Sequence, residues 1–227
     1  MTCLICNRTL QQNISLKELL SFQRFEETTV CLPCLGKFTH IQPGACCPGC
    51  SRPQIDQEHC LDCQKWLKKY PSEIVQHKAF YHYDDRLKDW LHQYKILGDI
   101  RYARIFTADL KTFYRKHANY LFVPLPISTT SMAERGFNQC ELLLQEAGIP
   151  YQNLIKHQID GKKQAEKNRS ERLRSDQPFI LANKPDNPDK PIMLVDDLYT
   201  TGRTMLHAKE LLASSGFQQL SSISIGR

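Results

Sequence analysis

Nine of the chain's 10 cysteines fall between Cys3 and Cys63, and eight of them form four Cys-x-x-Cys pairs. The pairs are Cys3/Cys6, Cys31/Cys34, Cys47/Cys50 and Cys60/Cys63. A two-residue spacer lets both thiolates of a tight turn reach one metal ion, and two such turns complete a tetrahedron. Four pairs therefore supply the ligands of two closed Zn²⁺ sites. A disulfide framework needs an oxidising compartment. The opening MTCLICNRTLQQN lacks the basic segment, apolar core and cleavage site of an export signal. Four redox pairs in so short a segment are more than that chemistry uses. Cys47, Cys50, Cys60 and Cys63 lie close enough to make a compact knuckle, and Cys3, Cys6, Cys31 and Cys34 then close the other site across a longer insert. An interleaved pairing is the alternative. Of the neighbours Cys46 and Cys47, the turn Pro48-Gly49 favours Cys47 as ligand. A tetrathiolate leaves no vacancy for His40 or His59 and no open position for water, so both sites are expected to be structural.

A second constellation lies in PIMLVDDLYTTGRTM, residues 191–205. A short apolar run meets two adjacent carboxylates, Asp196 and Asp197, and a threonine-glycine turn then leads into a helical pattern. The run reads as a strand buried on both faces, with the carboxylates at its carboxyl end, where open α/β sheets bind ligands. Two carboxylates there accept hydrogen bonds from vicinal hydroxyls. The N–H groups and hydroxyls of Thr200, Thr201, Gly202 and Thr204 at a helix N-terminus can hold a phosphate. A ribose 5-phosphate carries both a diol and a phosphate. The competing reading is a solvated acidic turn that caps a helix.

The elements around these residues are legible from periodicity. KAFYHY (78–83) reads as a short aromatic strand. Leu87, Trp90, Leu91 and Tyr94 form one helical face that stops at Gly98, and this face is read as core packing. A second helix is expected over 100–116. YLFVPLPIS (120–128) reads as a buried strand, FNQCELLLQEAG (137–148) as a helix closed by Gly148, and NLIKH and PFILA as two further strands. After 191–197 comes a helix over 204–214, closed by Gly216, and a last strand in LSSISIGR. Strands alternating with helices predict an α/β fold with a mainly parallel sheet and helices on both faces. The cysteine usage divides the chain into a zinc-binding module, 1–70, and a larger α/β domain, 71–227.

Composition sets the outer bounds. The chain has 227 residues, 41% hydrophobic and 24% charged, with a formal net charge of +6. That suits a soluble protein with a polyanionic partner. No apolar run is long enough to span a bilayer, and a cytoplasmic location is expected. Positive charge concentrates in GKKQAEKNRSERLRS (161–175). Lys162, Lys163, Lys167, Arg169, Arg172 and Arg174 face only Glu166 and Glu171 there. A solvated helix face is one reading, and a lid over a polyphosphate or a rail for a nucleic-acid backbone is the other.

IMLVDDLYTTGRTM resembles the phosphoribosyl-pyrophosphate (PRPP) motif of type I phosphoribosyltransferases. Together with VPLPIS, ERGFNQCELL and the cysteine-rich front, it makes nearly the whole chain resemble the ComF family of competence proteins. The resemblance implies a phosphoribosyltransferase-like core behind a small N-terminal zinc domain. It also implies a role in natural transformation, with single-stranded DNA and a ComFA-type helicase as partners. On the matching positions, Asp196 and Asp197 would contact the ribose. Thr200, Thr201, Gly202 and Thr204 would hold the 5-phosphate, and Mg²⁺ would accompany PRPP. The turn at Pro126–Ser128 would lie on the pyrophosphate side. Arg135, from the signature Arg135-Gly136-Phe137-Asn138-Gln139, is the candidate to grip pyrophosphate oxygens in two places. Lys95, Gly98 and Asp99, in YKILGD, read as a loop near the same pocket. Lys162, Lys163, Lys167 and Arg169 are the candidates for DNA contact.

The motif argues for PRPP binding more directly than for group transfer, which also needs a site for a nitrogen nucleophile. With the sequence ending at Arg227, just after the last expected strand, no C-terminal hood is expected to supply one. Three classes therefore stand at the level of sequence: a DNA-uptake accessory protein with a PRPP pocket, an active phosphoribosyltransferase on an unknown acceptor, and an interaction protein with a vestigial pocket. The intact Asp196/Asp197 and Thr200/Thr201/Gly202 argue against the third.

Overall fold

A computed structural model describes residues 1–10, 28–158, 177–185, 187 and 189–227. Its centre is a four-stranded parallel sheet in the order β1-β6-β5-β2, built from β1 (Lys78–Tyr81), β2 (Leu121–Pro124), β5 (Ile192–Leu198) and β6 (Leu220–Gly226). β5 is a central strand and runs uninterrupted through both carboxylates, with Asp196 in register with Ser224 and Leu198 with Gly226. Alternate residues serve opposite faces. Met193 and Val195 enter one core with Tyr81, Phe122, Ile223 and Ile225. Ile192 and Leu194 enter the other with Val123 and Leu125.

Helices cover both faces, as the alternation predicts. The amphipathic stretch after β1 forms α4 (Asp85–Leu91), following α1 (Leu32–Leu35), α2 (Leu61–Leu67) and α3 (Ser72–Val75). Asp84 caps α4 by accepting from the Leu87 N–H at 3.0 Å. The predicted single helix does not keep α geometry to Gly98. It widens into a π-helical turn over His92–Ile96 and ends at Gly98, where φ is +69°. The predicted helix over 100–116 likewise starts as a 3₁₀ segment, Ile100–Phe106, and becomes α5 (Thr107–Lys116). These adjustments let Trp90, Tyr94 and Phe106 pack into one aromatic cluster, with ring centroids 5.0–5.2 Å apart. After β2 come α6 (Thr129–Arg135) and α7 (Gln139–Glu146), and after β5 comes α8 (Arg203–Ser214). The two expected strands NLIKH and PFILA shorten to β3 (Ile155–His157) and β4 (Phe179–Leu181). They pair with each other, antiparallel, as a separate two-stranded sheet.

The cysteine-rich segment packs directly on this frame. Cys3, Cys34, Val30 and Phe38 are buried in the core that contains α4, α5 and α7. Cys47, Cys50, Cys60 and Cys63 are buried in the other, with Met205, Leu206 and Leu212 of α8. The two cysteine groups thus lie against opposite faces of the sheet. Among the described residues, no helix is long and apolar enough to cross a membrane.

Candidate functional site: a carboxylate pair, a threonine-glycine turn and two thiolate clusters

The eight paired cysteines assemble as two tetrads, Cys3/Cys6/Cys31/Cys34 and Cys47/Cys50/Cys60/Cys63, with the ligand atoms of each within 4.8 Å of one another. This geometry selects the sequential pairing over the interleaved one and leaves out Cys46, His40 and His59. The Sγ atoms of Cys6 and Cys31 are 3.8 Å apart, and those of Cys50 and Cys60 are 3.6 Å apart. A tetrahedral ion with Zn–S bonds of about 2.3 Å requires sulfur separations of roughly 3.8 Å. A disulfide requires about 2.05 Å, and all the cysteines are free thiols. Backbone N–H groups turn toward the ligands, Cys31 N to Cys3 Sγ at 3.4 Å and Cys60 N to Cys47 Sγ at 3.3 Å. Gly49 lets the second knuckle close, since a Cβ there would lie 2.9 Å from Cys63 Sγ. Both tetrads could hold zinc.

The carboxylate pair sits at the carboxyl end of β5, and strand alternation gives its two members different surroundings. Asp197 is buried and accepts from Lys95 Nζ at 2.9 Å. Lys95 comes from the π-helical turn, which brings this one residue of YKILGD to the strand end. Burial disfavours the Lys95 ammonium, but the Asp197 carboxylate outweighs it and raises the lysine pKa above its ordinary value. Asp196 is half-buried and accepts from the Asp197 N–H at 2.9 Å. Burial, and then the adjacent Asp197 carboxylate, push the Asp196 carboxyl well above the ordinary carboxylate range. Cys140, at the start of α7, lies 3.6 Å from Asp196 Oδ1 through its sulfur. Nothing in the sequence pattern marked this cysteine.

The signature Arg135–Gln139 joins α6 to α7, whose first turn carries Cys140 beside Asp196. Gly136, at φ +78°, ends α6. Asn138 caps α7 by accepting from the Cys140 and Glu141 N–H groups, and its own amide donates to the Leu125 carbonyl at 3.0 Å. It therefore ties α7 to the segment after β2. Phe137 packs on Tyr94, with centroids 5.6 Å apart, and the Tyr94 hydroxyl donates to the Gln139 carbonyl at 2.7 Å. Arg135 is half-buried and donates to Gln139 Oε1 at 3.3 Å. Ser128, in the turn at Pro126–Ser128, caps α6 by accepting from the Ser131 N–H at 3.1 Å.

The threonine-glycine turn joins β5 to α8 with Thr200, Thr201 and Thr204 exposed. Gly202, at φ +84°, is the N-cap of α8. Its conformation disfavours any side chain, and a Cβ would also overlap the Tyr199 ring. The first N–H groups of α8 have no partner within the helix. The Tyr199 hydroxyl lies against Gly202, buried and without a hydrogen-bond partner among the described residues. Two residues outside the loop hold its carbonyls. Trp66 Nε1, from α2 three residues after Cys63, donates to Thr201 O at 2.8 Å. Arg227 donates through Nη1 to Thr200 O and through Nε and Nη2 to Cys50 Sγ, the latter both at 3.3 Å. Its guanidinium also covers the Tyr199 ring at 5.1 Å. His77 also stacks on Tyr199, with centroids 4.1 Å apart. No local pattern marks Trp66 or Arg227, because their roles depend on contacts 135 and 27 residues away. The DNA candidates Lys162, Lys163, Lys167 and Arg169 lie outside the described residues.

No family model matches the chain. Curated relatives do. The chain is 34% identical over 227 residues to competence protein ComFC of Streptococcus pneumoniae (strain ATCC BAA-255 / R6), covering 100% of both proteins. It is 32% identical over 220 residues to competence protein ComFC of Bacillus subtilis (strain 168), covering 94% of this chain and 89% of the relative. Competence protein F of Haemophilus influenzae matches at 26% over 220 residues, covering 84% of this chain and 93% of that protein. Identity of a third that runs the full length of both partners admits no local or single-motif explanation, and the chain belongs to the ComFC family of competence proteins.

Proposed function

We propose that this chain is a cytoplasmic accessory protein of DNA uptake in natural transformation. In this reading it binds single-stranded DNA and a ComFA-type helicase and carries a pocket for PRPP with Mg²⁺. The observation that carries the pocket is the join of β5 and α8. A half-buried carboxylate near the end of β5, the unpartnered Tyr199 hydroxyl just after it and an αL glycine at the helix N-terminus follow one another along this join. Asp196 is the carboxylate open to a ribose diol. Asp197 holds Lys95, and the pair gives the pocket a fixed ammonium beside its carboxylates. Thr200, Thr201 and Thr204 offer exposed hydroxyls for the 5-phosphate, next to the positive end of the helix dipole. Arg135 would meet pyrophosphate oxygens. Among the described residues the geometry assigns none to a nitrogen nucleophile, and PRPP binding is the activity proposed.

Calorimetric titration with PRPP and Mg²⁺ tests the pocket. Asp196→Asn is expected to weaken binding by about 1.5–3 kcal/mol, the worth of a charge-assisted hydrogen bond. A folded variant with unchanged affinity would sink the assignment. For DNA, the support is the family's name, the net charge of +6 and the basic segment 161–175. Replacing Lys162, Lys163, Lys167 and Arg169 with Ala is expected to weaken single-strand binding for every sequence. It should also flatten the salt dependence, since each neutralised phosphate contributes a slope of about −0.7 in log K against log salt. Fluorescence anisotropy across a salt series reads both. A quadruple variant that loses PRPP but keeps DNA affinity and slope would make the segment a lid and move DNA elsewhere.

A further inference from the structure

The second thiolate cluster and the phosphate loop are joined by two direct contacts. Arg227 spans the gap, gripping Cys50 Sγ with two N–H groups at 3.3 Å while a third reaches the Thr200 carbonyl. Its side chain is only 6% exposed, so water competes weakly for the two bonds to Cys50, while the bond to Thr200 lies at the exposed turn. Trp66 shares α2 with the ligand Cys63 and donates to the next carbonyl, Thr201 O, at 2.8 Å. A planar trans peptide fixes the direction of its N–H once its C=O is held. Holding Thr200 O therefore aims the Thr201 N–H, and holding Thr201 O aims the Gly202 N–H. These are the donors at the head of the turn that leads into α8. The first tetrad packs in the core on the opposite face of the sheet.

We infer that Trp66 and Arg227 are positioning residues that make the Cys47/Cys50/Cys60/Cys63 knuckle set the phosphate affinity of the 200–204 turn. This rests on the reading of that turn as a phosphate site. Zinc binding energy at a closed thiolate site is folding energy, so loading the knuckle fixes Cys50 and α2 and through them the two carbonyls. Coupling of two equilibria is reciprocal: if zinc at this tetrad favours phosphate, phosphate favours zinc by the same factor. The consequence is a competence protein whose sugar-phosphate pocket is switched by the state of one thiolate cluster and not the other.

Ribose 5-phosphate is the suitable probe, because free pyrophosphate would itself compete for zinc. Its affinity is measured by calorimetry for the zinc-loaded wild type, Arg227→Lys and Trp66→Phe. Zinc affinity is then measured by competition with a chromogenic chelator, with and without the sugar phosphate. In the wild type, saturating ribose 5-phosphate is expected to raise the affinity of one of the two zinc sites about fivefold or more, and to leave the other unchanged. Arg227→Lys keeps the charge but cannot span both acceptors. Trp66→Phe keeps an aromatic ring and loses the indole N–H. Both are expected to retain two zinc ions, to bind the sugar phosphate about fivefold more weakly, and to lose the effect on zinc. A residue that merely stabilised the fold would lower the melting temperature and leave the reciprocity intact. If Arg227→Lys fails to fold, Trp66→Phe decides. Wild-type protein that binds no ribose 5-phosphate overturns both the pocket and this inference. Protein that binds it with zinc affinity unmoved overturns this inference alone.

Discussion

Asp196 and Asp197 are the same residue type in adjacent positions, and their side chains have little else in common. Successive residues of a strand point to opposite faces, so Asp197 turns inward to Lys95 while Asp196 stays at the strand end beside Cys140. The raised pKa of Asp196 has a consequence for stability. The folded state holds this proton more tightly than the unfolded chain. Its contribution is therefore fully present below the ordinary carboxylate pKa and is lost as pH rises through the folded value. At neutral pH the ionised form is therefore a cost to the fold. Asp196→Asn is accordingly expected to melt higher than wild type at pH 7.5, by about 2–4 °C per kcal/mol recovered, with the advantage shrinking toward pH 4. Thermal scans at the two pH values check this, and an equal or lower melting temperature at pH 7.5 would contradict it.

At the scale of elements, each loop of the site is closed by a device the sequence displays only in part. Asn138 caps α7 with one end of its amide and reaches the Leu125 carbonyl with the other, so a single side chain joins two connections. Gly202 meets two demands, a positive φ and the proximity of the Tyr199 ring. The cysteine knuckles are elements of the same kind: short turns packed on the cores, whose thiolates a metal ion would tie together. Elemental analysis is expected to find two zinc ions per chain. Cys60→Ser should leave one, since it removes one of four ligands, and should unfold the knuckle around Trp66. Protein prepared without chelator that contains one zinc or none would be the contrary result.

On the scale of the whole molecule, we propose that the division near residue 70 separates two compositions that fold together. Cys3, Val30, Cys34 and Phe38 fill one core of the sheet, and Cys47, Cys50, Cys60 and Cys63 with Tyr70 fill the other. Phe38 contacts the rings of both Tyr81 and Phe106, with centroids 5.9 and 5.1 Å away. A chain that begins at residue 71 would expose both cores. It is expected to be insoluble or to lack a cooperative melting transition, which expression trials and circular dichroism would show. A soluble, cooperatively folded 71–227 fragment would make the segment 1–70 a separate module after all.

What the sequence determined by itself was local and periodic. Thiolate pairs at metal spacing, the order of strands and helices, the carboxylates at a strand end and the glycine turn after them are all set within a few residues of chain. Hydrophobic period and ligand spacing encode such features directly. The tertiary structure alone decided which partners meet across distance. It selected the sequential tetrads, set them on opposite faces of the sheet, and paired NLIKH with PFILA away from the main sheet. It also brought Lys95 to Asp197, Cys140 to Asp196, and Trp66 and Arg227 to the loop carbonyls. Those contacts join side chains to backbone atoms or to residues far along the chain, and a carbonyl oxygen has no residue identity for a sequence to reveal. Only packing the two faces of one twisted sheet brings them within hydrogen-bond reach.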